Sequence, residues 1–299
     1  MTTENTIAQK LAEEAAPKRT HMSIWWRFRR HRLALIGFII LGTFIFIAVL
    51  APFIAVQDPF YVDLKNFKAP PSWDHILGTD RAGRDVWARL VYASRVSLAV
   101  GIVAAFISSG IGVLVGIIAG YAGKWVDNLL MRFTEVVMTL PTFFVLIIAS
   151  SMVGRSVINI MLIIGLLGWT GKARLVRGQV LSLKEMDYVT AAKALGATAK
   201  RISWVHIFPG TVPYVVVSTT LTVGGAILSE AGLSFLGLGV AFETPTWGNL
   251  MNSAQSLHVL KYQPWNWLPP GLAIGLTVLS VNFVGDGLRD ALDPRTKVD

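Results

Sequence analysis

An uncharged run of 23 residues, 33–55, restricts this chain more than any other feature. As an α-helix rising ~1.5 Å per residue, it crosses the ~30 Å hydrocarbon core of a bilayer. No water reaches the backbone there, so a helix must satisfy its own N–H and C=O groups. Further apolar runs lie at 96–123, 129–154, 156–171, 202–229 and 268–285. The third run carries Arg132 and Glu135 near its start and Pro141 inside it, and the fourth is short. The fold class this predicts is an all-α integral membrane protein with about six transmembrane helices. Ala48 and Ala51 near the end of the first run suggest a signal-peptide cleavage site. Signal-peptide apolar regions span only ~7–15 residues behind a short basic segment. Here both parts are longer, so the run reads as an uncleaved first helix.

Composition agrees: hydrophobic residues make up 53% and charged residues 15%, against roughly a quarter charged in soluble domains. With no cysteine, disulfides, thiolate metal sites and cysteine nucleophiles are excluded. A net charge of +9 fits either nucleic-acid binding or membrane topology, and the distribution separates the two. The basic residues sit between apolar runs, as positive-inside loops require, and form no basic face, so no nucleic-acid partner is expected. With the N-terminus placed in the cytoplasm, 19 of the 27 Lys and Arg fall on inside segments and 8 outside. Both termini are therefore expected in the cytoplasm.

The organisation this implies starts with a cytoplasmic tail, 1–32, helical through Glu13 and Glu14, and a first transmembrane helix, 33–55. An external loop with an amphipathic segment follows at 56–95. A five-helix core, 96–285, includes a cytoplasmic loop at 172–203, and a cytoplasmic tail, 286–299, ends the chain. Arg155 alone separates the third and fourth runs, which predicts a tight antiparallel hairpin.

Several motifs have plain readings. Ser108, Gly112, Gly116 and Gly120 place small residues on one helix face, which permits close helix approach and most simply serves packing within this chain. Glu135 is a functional candidate by its depth, yet Arg132 three residues before it makes a structural ion pair the plainer reading. Pro141 can kink its helix. Gly171-Lys172 superficially ends a phosphate loop, but Leu166 stands where the first glycine belongs and Ala173 where Ser or Thr is needed. ATP hydrolysis by this chain itself is not expected. The histidines at 21, 31, 75, 206 and 258 have no metal-ligand spacing, and no G-x-S-x-G elbow is present.

The most informative segment lies in the loop 172–203. Asp187, Tyr188, Val189, Thr190, Ala191, Ala192, Lys193, Ala194 and Leu195 are followed by Gly196. An acidic start, good helix formers and a terminal glycine predict a short helix. Small residues at 190–192 let it lie close against a partner, with Tyr188 and Leu195 as apolar knobs. A second run from Lys200 leads through Phe208 and Pro209 into the fifth span.

These residues resemble the EAA loop of binding-protein-dependent ABC permeases: Thr190-Ala191-Ala192, Gly196 four residues later, and Pro209 thirteen after that. Thr190 stands where many members have Glu, His206 where an aliphatic is usual, and Phe208 where Leu is common; the spacing is kept. Three further stretches resemble the dipeptide/oligopeptide branch and the second of its two permease types. They are the segment from His75 to Asp85, Leu233 to Gly239 with Thr246-Trp247-Gly248-Asn249, and Gly285 to Arg295.

The resemblance implies a type I ABC importer permease fold with a cytoplasmic coupling helix, in a bacterial or archaeal plasma membrane. It also implies a homologous second permease, two cytoplasmic ATP-binding subunits that use ATP and Mg, and an extracytoplasmic substrate-binding protein. This chain, a non-catalytic subunit in contact with membrane lipid, binds no cofactor on that reading. Asp187, Tyr188, Thr190, Ala191, Ala192, Leu195 and Gly196 would dock the ATPase. Relatives carry di- and oligopeptides, nickel or oligosaccharides. Peptide is favoured, oligosaccharide stays open, and the lack of Cys and scarcity of His make nickel the weakest. Thr134, Thr139, Asn159, Thr219 and Thr222 are candidate pathway residues that the sequence does not orient. The rival readings are an ATPase-independent channel and an intramembrane enzyme.

Overall fold

The computed structural model describes residues 24–292. The stretch through Glu13 and Glu14 and the end of the C-terminal motif, with Pro294 and Arg295, lie outside the described residues. The regular elements described are all helical, and the one isolated β-bridge joins Thr79 and Asp85.

A short helix α1 (Ile24–Arg30) leads into α2 (Arg32–Val49), whose first turn is capped by His31 through the Ala34 N–H at 3.1 Å. A one-turn helix α3 (Ala51–Ile54) ends the first span. The central element is α4 (Val86–Ala122), 37 residues and so about 55 Å long. It begins ten residues before the uncharged run does. Asp85 caps it, Oδ1 accepting from Ala88 N–H at 2.7 Å. Arg89 fits inside because its guanidinium donates to Pro59 O at 3.2 Å and Phe242 O at 3.0 Å. Charge content puts Arg89 and Arg95 in the external loop; the Asp85 cap starts the helix ahead of both, and the two carbonyl partners of Arg89 hold it there.

The third run is two helices, α5 (Lys124–Thr139) and α6 (Thr142–Val153), meeting at 84°. This corrects the single kinked span of the sequence reading. Pro141 disfavours helical backbone at Leu140, which is extended at φ −73° and ψ 123°. α6 turns through Gly154 into α7 (Val157–Leu167), and Asn159 Nδ2 closes that turn on Val153 O and Gly154 O at 3.0 and 3.3 Å.

α7 bends by 41° into α8 (Thr170–Leu183). The first 12 of the 32 residues of the expected loop 172–203 are therefore helix within the bundle. Two of its charges bond within the bundle rather than lining a loop: Lys172 and Arg177 find partners among α4, α5 and α11. α9 (Asp187–Ala194) follows. The next helix starts as one turn, α10 (Ala199–Arg201), passes through a π-helical segment (Ile202–Ile207) and continues as α11 (Phe208–Phe235). Short helices α12 (Trp247–Met251) and α13 (Leu257–Tyr262) precede α14 (Leu268–Leu292), which runs seven residues past the expected end of the core.

Four of these helices are long and apolar enough to span a bilayer, and each bent pair counted as one span makes six. The small-residue face of α4 packs on α8. A Cβ on Gly112 would lie 2.6 Å from Lys172 Cβ, and one on Gly116 2.7 Å from Ala173 O. That face serves packing within the chain. Leu146, Ile160, Ile163, Val100 and Leu233 form one core among α4, α6, α7 and α11, and Val113, Val176, Val180 and Ile207 form another lower on α4.

Candidate functional site

The two ends of α4 carry different structures. At its C-terminal end Lys184 Nζ reaches Gly120 O at 3.5 Å, and α9 follows directly. Val189 is fully buried among Val113, Ile117, Val180, Ile202 and Ile207 and holds α9 against the bundle. The opposite face is open: Tyr188 is exposed and Leu195 is 88% exposed. Asp187, Thr190, Ala191 and Gly196 are exposed as well, and Ala192 is half-buried.

The helix stops where the sequence predicts. Gly196, at φ +81°, donates to Lys193 O at 3.0 Å, and Ala197 donates to Ala192 O at 3.1 Å. This is the paired closure that a left-handed residue permits. Beside it a hollow of about 850 Å³ is lined by Leu195, Gly196, Lys200, Arg201, Trp204 and His206. The seven predicted residues thus share one short helix and its end. The sequence reading missed Val189 and Trp204. Val189 could have been found as the apolar residue on the α9 face away from Leu195.

At the N-terminal end of α4 two of the other motif stretches, His75 to Asp85 and Leu233 to Asn249, form one cap, while the described part of the third, from Gly285, packs on Phe28 and Ala34 at the start of the chain. His75 Nδ1 lies 2.9 Å from Asp85 Oδ2. Asp80 accepts from the N–H groups of Ala82 and Arg84 at 2.7 and 3.0 Å and pairs with the Arg84 guanidinium at 2.8 Å. Asp63 accepts from Lys65 N–H and Asn66 Nδ2, which hold its carboxyl below its ordinary range. Trp247 is fully buried, its ring edge-on to Phe44 with centroids 5.4 Å apart. Thr246 caps α12 through Asn249 N–H at 3.0 Å, and Asn249 Nδ2 reaches the carbonyls of Val240, Ala241 and Thr244. These polar residues tie loop backbone to helix ends, a structural role.

The candidate pathway residues divide. Thr134 and Thr139 bond backbone carbonyls one turn back, and Asn159 serves the turn after α6. Thr219 meets Ser109 at 2.7 Å, and Thr222 accepts from Lys172 Nζ at 2.7 Å. Arg132 and Glu135 form an exposed ion pair at 3.1 Å.

Residues 112–298 match the family described as binding-protein-dependent transport system inner membrane component. The chain belongs to that family. This permease also matches, over residues 22–71, the N-terminal TM domain of oligopeptide transport permease C. Its relatives include a putative peptide permease protein of Brucella suis, 40% identical over 91% of this chain and 90% of that one. The dipeptide transport system permease protein DppC of Bacillus subtilis is 39% identical over 97% of this chain and 91% of its own. The oligopeptide permease OppC of the same organism is 38% identical over 92% and 91%. The permease is accordingly a multi-pass inner membrane component, the membrane subunit of a system in which ATPase and substrate-binding partners are separate chains.

Proposed function

We propose that this permease forms, with a homologous second permease, the pathway by which di- or oligopeptides delivered by an external binding protein enter the cell. Two cytoplasmic subunits using ATP and Mg supply the energy. Both termini and α9 face the cytoplasm, and the cap faces outward. Asp187, Tyr188, Thr190, Ala191, Ala192, Leu195 and Gly196 make the ATPase contact.

The observation that carries this reading is the two-sidedness of α9. Val189 fixes it to the bundle while Tyr188 and Leu195 stand exposed. A helix anchored in this way moves with the bundle as a rigid body. A partner that grips its outer face can therefore rock the spans between inward- and outward-open states. The hollow beside Gly196, rimmed by Lys200 and Arg201, suits acidic groups of such a partner. Peptide is the substrate named for the relatives in both Brucella and Bacillus.

The test is reconstitution of the permease pair with both ATPases and the binding protein in vesicles. Peptide-loaded binding protein should speed ATP hydrolysis, because a ligand shifts a conformational equilibrium only by binding one state better. Peptide should accumulate only with ATP. Nucleotide-independent flux through this chain alone would establish a channel instead.

A further inference from the structure

Lys172 is buried within the bundle, 4% exposed, on the first turn of α8. Its ammonium donates to Ser108 Oγ of α4 at 2.9 Å and to Thr222 Oγ1 of α11 at 2.7 Å. Neither partner carries charge, and none of the ion pairs among the described residues includes it. An ammonium has three N–H donors, so one remains for another acceptor. Its place on α8 sharpens the point, since the first turn of a helix disfavours a cation and favours an anion. A buried cation at membrane depth is costly and marks a pathway more often than a scaffold.

Thr222 shows how a ligand reaches it. Ser218, Thr222, Gly225 and Ser229 fall at intervals of four, three and four along α11 and so share one face. All four are exposed or half-buried. On a membrane helix that face is polar enough for a water-filled pathway, and Lys172 stands directly behind its centre.

We infer that Lys172 is a carboxylate-binding group of the translocation pathway, taking the C-terminal carboxylate of a peptide in transit. Ser108 and Thr222 aim the ammonium, whose third N–H faces the ligand once the bundle opens. The inference rests on the peptide reading above, because every unmodified peptide ends in a carboxylate.

The experiment compares transport of one peptide and its C-terminal amide by the complete reconstituted complex. Binding protein saturated with each peptide is supplied in excess, so that delivery does not limit the rate. The wild type should move the free acid about tenfold faster than the amide, the scale of one charge-assisted hydrogen bond. Lys172→Gln should bring that ratio close to one, and Lys172→Arg should keep most of it. Should Lys172→Gln fail to co-purify with its partners, Thr222→Val gives the same readout through a misaimed ammonium, with a partial fall in the ratio. An unchanged ratio in the assembled Lys172→Gln or Thr222→Val complex overturns the assignment and leaves peptide transport intact. A wild-type complex that moves neither form overturns both.

Discussion

Arg177 and Asp127 meet through two parallel hydrogen bonds, Nε to Oδ1 at 2.5 Å and Nη2 to Oδ2 at 2.6 Å. The pair joins α8 to α5 across a 50-residue separation, beside the point where α4 turns into α5. A planar fork against a carboxylate fixes orientation as well as distance. It sets how α5 lies on the bundle.

Asp127→Ala should therefore destabilise the permease by about 2 kcal/mol, the scale for a hydrogen bond to a charged group. The double variant Asp127→Ala/Arg177→Ala should lose less than the sum of the two single losses, since each removes the same contact. Melting of the purified permease in detergent measures this. Strict additivity would show that the two side chains act independently.

The cap offers a sharper steric test. Gly83 sits at φ +75°, and an added Cβ would lie 1.8 Å from Asp63 O. Gly83→Ala is strained by conformation and blocked by backbone, so the loop must shift. We expect a loss of at least about 2 kcal/mol and easier proteolysis near residues 56–85, with α9 unaffected. Wild-type proteolytic resistance would refute the close approach.

How far could the sequence have led here? The uncharged runs at 33–55 and 96–123 sufficed for spanning helices, because a bilayer demands length and apolarity alone. The α9 terminus was equally legible, since Gly196 closes a helix through backbone geometry that depends on no distant residue. Where long-range partners decide, the sequence was silent. Arg89 and Lys172 looked like loop residues because the carbonyls of Pro59 and Phe242 and the hydroxyls of Ser108 and Thr222 are far off in sequence. Pro141 announced a distortion, but whether it kinks a span by a few degrees or breaks it at 84° depends on what α5 packs against. Val189 was legible as the apolar residue on the α9 face away from Leu195, but its partners Ile202 and Ile207 come from the next helix and were not.

Topology can be tested on a clean background, as the chain has no cysteine. Lys65 and Lys261 are exposed on the cap side, and Lys200 is exposed beside α9. With α4 about 55 Å long, the two sides lie on opposite faces of a ~30 Å core. In intact cells Lys65→Cys and Lys261→Cys should react with an impermeant maleimide, and Lys200→Cys only after lysis. Labelling of Lys200→Cys from outside would reverse the proposed orientation.

The end of α9 gives the decisive test of coupling. Nothing lies within 4 Å of a Cβ built on Gly196, so a side chain there starts out into open space. Its cost is the positive φ of +81°, roughly 1–2 kcal/mol for a non-glycine residue. Gly196→Trp should thus still insert and assemble with the second permease. It should also hold the ATPase surface away, with loss of co-purified ATPase and of transport together. Tyr188→Ala/Leu195→Ala acts oppositely: it removes the two exposed knobs without adding bulk. Up to about 2 kcal/mol of contact per fully buried side chain would be lost, enough to weaken ATPase association severalfold or more. In the reconstituted complex, basal hydrolysis by the ATPases should persist while stimulation by loaded binding protein falls. Full stimulation in both variants would place the coupling contact elsewhere on the permease.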